Sequence, residues 1–237
     1  MAADQQEKTA KTFDAYQSSY SDTVNDAVSF TGLDVDFFTR VKAGYIQDIV
    51  RSVFGGTGVV DALDLGCGVG NLHSLLQADF NSLTGVDVSQ ASIARARKTH
   101  PDVTYDIYDG TQLPYENGRF DLAFTICVMH HVPPDNWPLF VAEMKRVLKP
   151  GGLALVFEHN PRNPLTMRAV NTCPFDEDAV LLRSHETEAL FLSAGFSAVQ
   201  TRFILSVPSA TETLRKVDRL FSRLPLGAQY YVSARNP

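Results

Sequence analysis

The sequence predicts an α/β fold, a seven-stranded and mostly parallel sheet with helices on both faces. Three observations predict it. From Val59 onward, short apolar runs alternate with amphipathic segments. A glycine loop, Gly66-Cys67-Gly68-Val69-Gly70, falls where the first apolar run ends and a helical pattern begins. The composition, 44% hydrophobic and 20% charged over 237 residues, is ordinary for a globular chain and enough for a sizeable core.

The elements follow in order. Residues 4–20 read as a helix, with Phe13, Tyr16 and Tyr20 spaced three and four apart. Residues 34–53 read as a second helix. Asp34 caps it, Phe37, Val41 and Tyr45 form its stripe, and Gly55-Gly56 ends it. The alternating region then gives strands at 59–65, 82–86, 103–108, 120–127 and 153–157. Helices at 71–78, 89–99 (capped by Ser89) and 135–148 lie between them. Such alternation implies right-handed crossovers and parallel strands. The tail breaks the rhythm. Residues 161–175, rich in Pro, Asn and Arg, read as an irregular insertion. A helix at 187–194 stops at Gly195, and a strand at 196–207, a helix at 211–223 and a last strand at 228–233 follow. The organisation expected is a helical cap over 1–56 and an α/β domain over 57–237, with 160–182 inserted on the substrate side, all in one compact unit.

Charge and composition narrow the function. A formal net charge of -6 repels phosphate backbones and disfavours non-specific nucleic-acid binding. The N-terminus is polar and shows no secretory signal, and no apolar run approaches the roughly 18 residues of a membrane span. Cys67, Cys127 and Cys173 are far apart, which argues against a disulfide framework or a zinc site and suits a reducing cytosol. The expected location is therefore cytoplasmic.

The loop is the sharpest signal. Glycines at a strand-to-helix turn permit positive φ and let a ligand approach the backbone. The dinucleotide pattern G-x-G-x-x-G would need glycine at position 71, which is Asn71; the loop reads G-x-G-x-G instead. The phosphate loop G-x-x-x-x-G-K-[ST] is absent, and Gly55-Gly56-Thr57-Gly58 reads as a plain turn. The run Val60-Asp61-Ala62-Leu63-Asp64-Leu65-Gly66-Cys67-Gly68-Val69-Gly70 resembles motif I of the class I S-adenosylmethionine-dependent methyltransferases, and most of all their small-molecule branch called type 11. The resemblance covers residues 59–158. Phe120-Asp121-Leu122 and the Arg146-Val147-Leu148-Lys149-Pro150-Gly151-Gly152 turn fix its register.

The resemblance implies a Rossmann-like sheet with an antiparallel final strand and S-adenosylmethionine as the cofactor, released as S-adenosylhomocysteine. It implies that Gly66, Cys67, Gly68 and Gly70 hold the methionine part and that Asp64 binds its amino group. Asp87, at the end of the second strand, takes the ribose hydroxyls, a task that needs the two acceptor oxygens of a carboxylate. Val88 packs on the adenine; Asp109 and Gly110 bind its edge; Cys127 lines the cleft through its backbone. The N-terminal helices can cover the sheet or close as a lid, and Tyr20 is a candidate cofactor contact on that account.

The donor supplies the reactivity, so the protein must align, exclude water and sometimes supply a base. His130, beyond the fourth strand, is the candidate base, since imidazole titrates near neutral pH. His131 reads as mainly structural with a contact to the site. Glu158 and His159, beyond the fifth strand, suit the substrate side, and Arg162 and Arg168 suit an anionic acceptor. No metal is expected: the Asp, Asp, Asn set of catechol-type enzymes cannot be placed, and His159 and His185 are too separated for a zinc pair. The N/D-P-P-Y/F motif of methyltransferases acting on DNA bases or glutamine is missing. The expected reaction is in-line methyl transfer to oxygen or nitrogen of a small-molecule acceptor. The expected partners are that acceptor alone, with no nucleic acid and no membrane, in a monomer or homodimer. A nicotinamide oxidoreductase and a non-catalytic S-adenosylmethionine-binding module are the alternatives.

Overall fold

The computed structural model describes residues 11, 14 and 20–237. The expected helix at 4–20 lies, apart from Lys11, Asp14 and Tyr20, outside the described residues. The described chain opens with α1 (Tyr20–Val28) and α2 (Val35–Phe54). There follow β1 (Asp61–Leu65), α3 (His73–Leu76), β2 (Ser82–Asp87), α4 (Gln90–Thr99), β3 (Thr104–Ile107) and β4 (Phe120–Ile126). Next come α5 (Trp137–Val147), β5 (Leu148–His159), α6 (Pro164–Thr172) and α7 (Ser184–Ser193). The chain ends with β6 (Ser197–Ile204), α8 (Glu212–Leu220) and β7 (Gln229–Arg235).

The strands form one seven-stranded sheet in the order β3-β2-β1-β4-β5-β7-β6. The first five pair in parallel, and β7 runs antiparallel to both β5 and β6. The order reverses between β1 and β4, and in open α/β sheets a crevice for ligands opens at that point, beyond the strand ends. Alternate residues of the strands feed two cores, as the two-residue period requires. Leu63, Leu65, Ala123, Ala154 and Val156 face one core with Phe140, Val141 and Met144 of α5 and Phe191 of α7. Ala62, Leu122, Phe124, Leu155 and Phe157 face the other, with Val41, Tyr45, Ile46 and Val50 of α2. Covered on both sides, β5 carries an unbroken apolar run from Leu153 to Phe157.

The caps behave as the residues dictate. Asp34 accepts the Phe37 N–H at 2.7 Å, Ser89 Oγ accepts the Ser92 N–H at 3.0 Å, and Gly55 ends α2 with a φ of 76°. Other boundaries differ from the sequence reading. The expected insertion contains α6, because Asn163 Oδ1 accepts the N–H groups of Leu165 (3.0 Å) and Thr166 (3.1 Å) and Pro164 sits in the first turn, where its missing N–H costs nothing. The expected strand at 196–207 stops at Ile204. The buried Asp218 carboxylate takes the N–H groups of Leu205 (2.8 Å), Ser206 (2.8 Å) and Val207 (3.0 Å) away from the ladder. The same carboxylate accepts from Tyr45 Oη at 2.7 Å, locking α8 to α2.

The corner before β7 is tight. A Cβ on Gly227 would fall on the Ile204 carbonyl oxygen, with the Ile204 nitrogen at 2.9 Å. These are backbone atoms and cannot give way. Gly227→Ala is therefore expected to cost about 1–3 kcal/mol in urea unfolding. A loss under about 0.5 kcal/mol would show that the corner is slack. Among the described residues no helix is long and apolar enough to cross a membrane.

Candidate active site

The loop after β1 curls back over the end of β2. The N–H groups of Gly66 and Cys67 both donate to the Val86 carbonyl, at 2.8 and 3.1 Å. Gly66, Gly68 and Gly70 all have positive φ. At Gly66 a side chain is doubly excluded, since a Cβ would lie 2.6 Å from Val128 Cγ2. At Gly68 the missing side chain faces open space. That space belongs to a cavity of about 560 Å³, a volume typical of small-molecule sites.

Asp87 is buried at the edge of this cavity. Its two oxygens accept the Gly68 N–H (2.8 Å) and the Ser89 N–H (2.8 Å). Burial raises its pKa to about 6, even though those two bonds favour the charged form. Asp14 reaches the same corner. Its Oδ1 accepts from Ser89 Oγ at 2.5 Å and from the Ala91 N–H at 3.1 Å, at the start of α4. Asp64 sits one strand away, its Oδ2 3.0 Å from His73 Nε2. The other ring nitrogen of His73 is 2.5 Å from Tyr105 Oη, so a buried Tyr-His-Asp chain supports the loop from behind.

The far wall of the cavity carries three histidines. His130 is buried with Nδ1 2.6 Å from Glu158 Oε2 and Nε2 3.4 Å from Asp176 Oδ1. His131 Nε2 lies 3.5 Å from the same Asp176 oxygen. The His159 ring stands 5.1 Å from that of His130. Glu158 lies beneath, accepting the Met129 N–H at 2.8 Å and the Val128 N–H at 3.2 Å. Burial pulls the His130 pKa down, but Glu158 and Asp176 overcome it and hold His130 protonated well above its ordinary range. Burial, then the charge on His130, push His131 down to about 3 and His159 to about 4. Burial also raises both Cys67 and Cys127, which disfavours a thiolate at either. Cys127 holds a positive φ of 55°, with Lys42 Nζ at 3.8 Å and Gln229 Nε2 at 3.6 Å from its sulfur. Among the described residues Gln229 Oε1 is buried without a hydrogen-bond partner.

Around this polar end the walls are apolar. Val24, Ala27 and Val28 of α1 and Leu165, Ala169 and Val170 of α6 line the chamber, with Phe30, Phe38 and Phe175 beside them. The two helices meet, and Arg168 of α6 stacks over Phe30 with its guanidinium carbon 4.3 Å from the ring centre.

Most residues singled out from the sequence meet here. Asp64, Gly66, Cys67, Gly68, Asp87 and Val88 line the cavity on the loop side, and Cys127, His130, His131 and His159 on the other. Glu158 is one layer behind. Gly70, Asp109 and Gly110 are not among the lining residues. Asp109 is exposed, and its Oδ1 accepts from Thr111 N–H (2.8 Å), Thr111 Oγ1 (2.6 Å) and Gln112 N–H (3.1 Å) in an Asx turn, while its neighbour Tyr108 takes the wall. Arg162 is exposed and Arg168 is spent on Phe30, so neither reaches the cavity. Of Tyr20 the backbone opens α1, and its side chain lies outside the described residues. Lys42, Asp176 and Gln229 were not anticipated. No motif marks them, and only the pairing of β7 with β5 and the turn after α6 bring the last two in.

Residues 62–152 match a family described as a methyltransferase domain. The chain is 34% identical over 105 residues to 2-methyl-6-phytyl-1,4-hydroquinone methyltransferase of Synechocystis, a match spanning 43% of this chain and 32% of that one. It is 33% identical over 163 residues to norajmaline N-methyltransferase of Rauvolfia serpentina, spanning 66% of this chain and 53% of that one. The chain thus spans about a third to a half of the length of the curated relatives it matches. The fold is shared with the crystal structure of an S-adenosylmethionine-dependent methyltransferase of Thermotoga maritima, at a TM-score of 0.61 and 19% identity over 85% of this chain and 92% of that one. Sheet order and matched segment together give the chain the fold of S-adenosylmethionine-dependent methyltransferases, with residues 62–152 similar to the methyltransferase domain.

Proposed function

We propose that the chain transfers the methyl group of S-adenosylmethionine to oxygen or nitrogen of a small, largely apolar acceptor. One observation carries this reading: a single cavity is bounded by Gly66, Gly68 and Asp87 at one end and by His130, His131 and His159 at the other. The donor residues fit their roles. Gly68 leaves room where a Cβ would intrude, and the Asp87 carboxylate keeps acceptor capacity for ribose hydroxyls beyond the two N–H groups it already binds. Val88 and Tyr108 would flank the adenine, with Asp109 and Gly110 at its outer edge. Bound there, the donor supplies an electrophilic methyl on a sulfonium.

The apolar walls from α1 and α6 suit the body of an acceptor, and Gln229 Oε1 offers an acceptor for its N–H or O–H. We place the base at His159 rather than His130. His130 Nδ1 is held by Glu158 at 2.6 Å and its Nε2 faces the Asp176 carboxylate, whereas His159 has Gln229 Nε2 near its Nδ1, at 3.5 Å. His159 takes the proton of the acceptor hydroxyl as that oxygen bonds the methyl carbon, and the S–C electron pair stays on sulfur. Alignment in a chamber walled largely by apolar side chains supplies the rest.

The reading is tested by calorimetry with S-adenosylhomocysteine and with NAD, followed by transfer of radiolabelled methyl across apolar alcohols, phenols and amines. Binding of NAD and not S-adenosylhomocysteine would overturn it. A pH series tests Asp87 itself. Its carboxyl takes up a proton as pH falls through about 6, and a protonated acid cannot accept from both ribose hydroxyls. Affinity for S-adenosylhomocysteine is expected to be constant above about pH 7 and to fall by up to about tenfold per unit below 6. A flat profile down to about pH 5 would remove Asp87 from the ribose site.

A further inference from the structure

We propose that His130, His131 and Asp176 form a binding site for one divalent transition-metal ion of the zinc type. The three ligand atoms lie within 4.8 Å of one another at the wall of the cavity. The separations from Asp176 Oδ1 to the Nε2 atoms of His130 and His131 are 3.4 and 3.5 Å. Those distances are long for hydrogen bonds, whose N···O separations run about 2.7–3.2 Å. They match the edges of a coordination tetrahedron, since ligands about 2.0–2.1 Å from zinc stand about 3.3–3.4 Å apart. Two imidazoles converging on one carboxylate oxygen would each need a proton on Nε2 to bond it. An ion among the three takes the place of those protons and uses both imidazoles through their lone pairs instead.

The surroundings are those a metal ligand needs. Glu158 binds His130 Nδ1 at 2.6 Å, which aims Nε2 at the site and raises its donor strength. Glu158 is itself held by the N–H groups of Val128 and Met129. The Met129–His131 turn is braced by Trp137, whose Nε1–H lies 2.9 Å from the Met129 carbonyl and 3.0 Å from that of Val132. The Val180 N–H donates to the His130 carbonyl at 2.9 Å, tying the Asp176 segment to the same turn. Two imidazoles and one carboxylate leave a coordination position open, as catalytic rather than structural sites do. All three ligands line the cavity, so that position is available to an oxygen of the acceptor. This last assignment rests on the methyltransferase reading; the metal site itself does not.

The test uses the whole chain after treatment with a chelator, titrated with Co²⁺ alone. One Co²⁺ per chain is expected, with the visible absorption of a four- or five-coordinate ion, and Zn²⁺ should displace it. His131→Ala and Asp176→Asn should each weaken Co²⁺ binding at least about tenfold, and Glu158→Gln by about 10–100-fold, as for outer partners of ligating histidines. His185→Ala, at an exposed position away from the cluster, should leave uptake unchanged. Thermal unfolding and S-adenosylhomocysteine binding report whether each variant is folded. Absence of saturable Co²⁺ uptake by the folded chain would overturn the site, as would uptake unaltered in both His131→Ala and Asp176→Asn. Donor binding without Co²⁺ uptake would remove the metal and leave the methyltransferase; Co²⁺ uptake without donor binding would do the reverse.

Discussion

Replacing Glu158 with alanine is expected to destabilise the fold by about 3–5 kcal/mol, the cost of breaking a buried, hydrogen-bonded ion pair from one side. The side chain is 1% exposed. It accepts from His130 Nδ1 at 2.6 Å and from two backbone N–H groups. Alanine would strand all three donors where water does not reach, and His130 would keep only the longer contact to Asp176. For a domain of this size each kcal/mol is worth about 2–4 °C in Tm. Glu158→Gln should cost less, because one amide oxygen can still serve the backbone donors. Equal stability of the alanine variant and the parent in urea unfolding would show that the pair is solvated and that the histidine wall is not rigid.

The second large effect is expected on turnover. His159→Gln should lower kcat by about 10²–10⁴-fold, the contribution of a positioned general base, while S-adenosylhomocysteine affinity stays within about twofold. The split matters. His159 lines the cavity wall beside His130 and Gln229, at the proposed acceptor end. A variant that lost donor binding as well would place His159 in the donor site. One that kept full turnover with an acceptor hydroxyl would leave alignment alone as the catalytic device.

The donor half of the site was legible because it is local. The loop, Asp64 and Asp87 sit at the ends of adjacent paired strands, so strand-end position alone carries them together. The helix caps Asp34 and Ser89 were legible for the same reason, since a cap bonds residues two or three positions away. The acceptor half was not. Asp176 meets His130 from a one-turn segment, Pro174–Asp176, at the end of a stretch whose Pro, Asn and Arg read as irregular, and Gln229 enters only because β7 inserts between β5 and β6. At Asp109 two roles of different reach meet. Its motif position suggested a ligand contact, while a local turn with Thr111 and Gln112 consumes one of its oxygens. Fold class followed from the alternation of runs; the ends of β6 and α6 depended on side chains, Asp218 and Asn163, that compete for backbone N–H groups.

The bond from the Gly68 amide to Asp87 spans the two halves of the proposed donor cradle. A loop rich in glycine would otherwise wander among many shapes and have to be frozen by each incoming molecule. Here one carboxylate keeps the curl in place beforehand, and the same carboxylate is the proposed reader of the sugar. On that proposal, amino-acid end and nucleoside end would be sensed through a shared atom group. Whatever loosens its grip at one end is felt at the other, so an analogue lacking the sugar hydroxyls forfeits more than the contacts it fails to make.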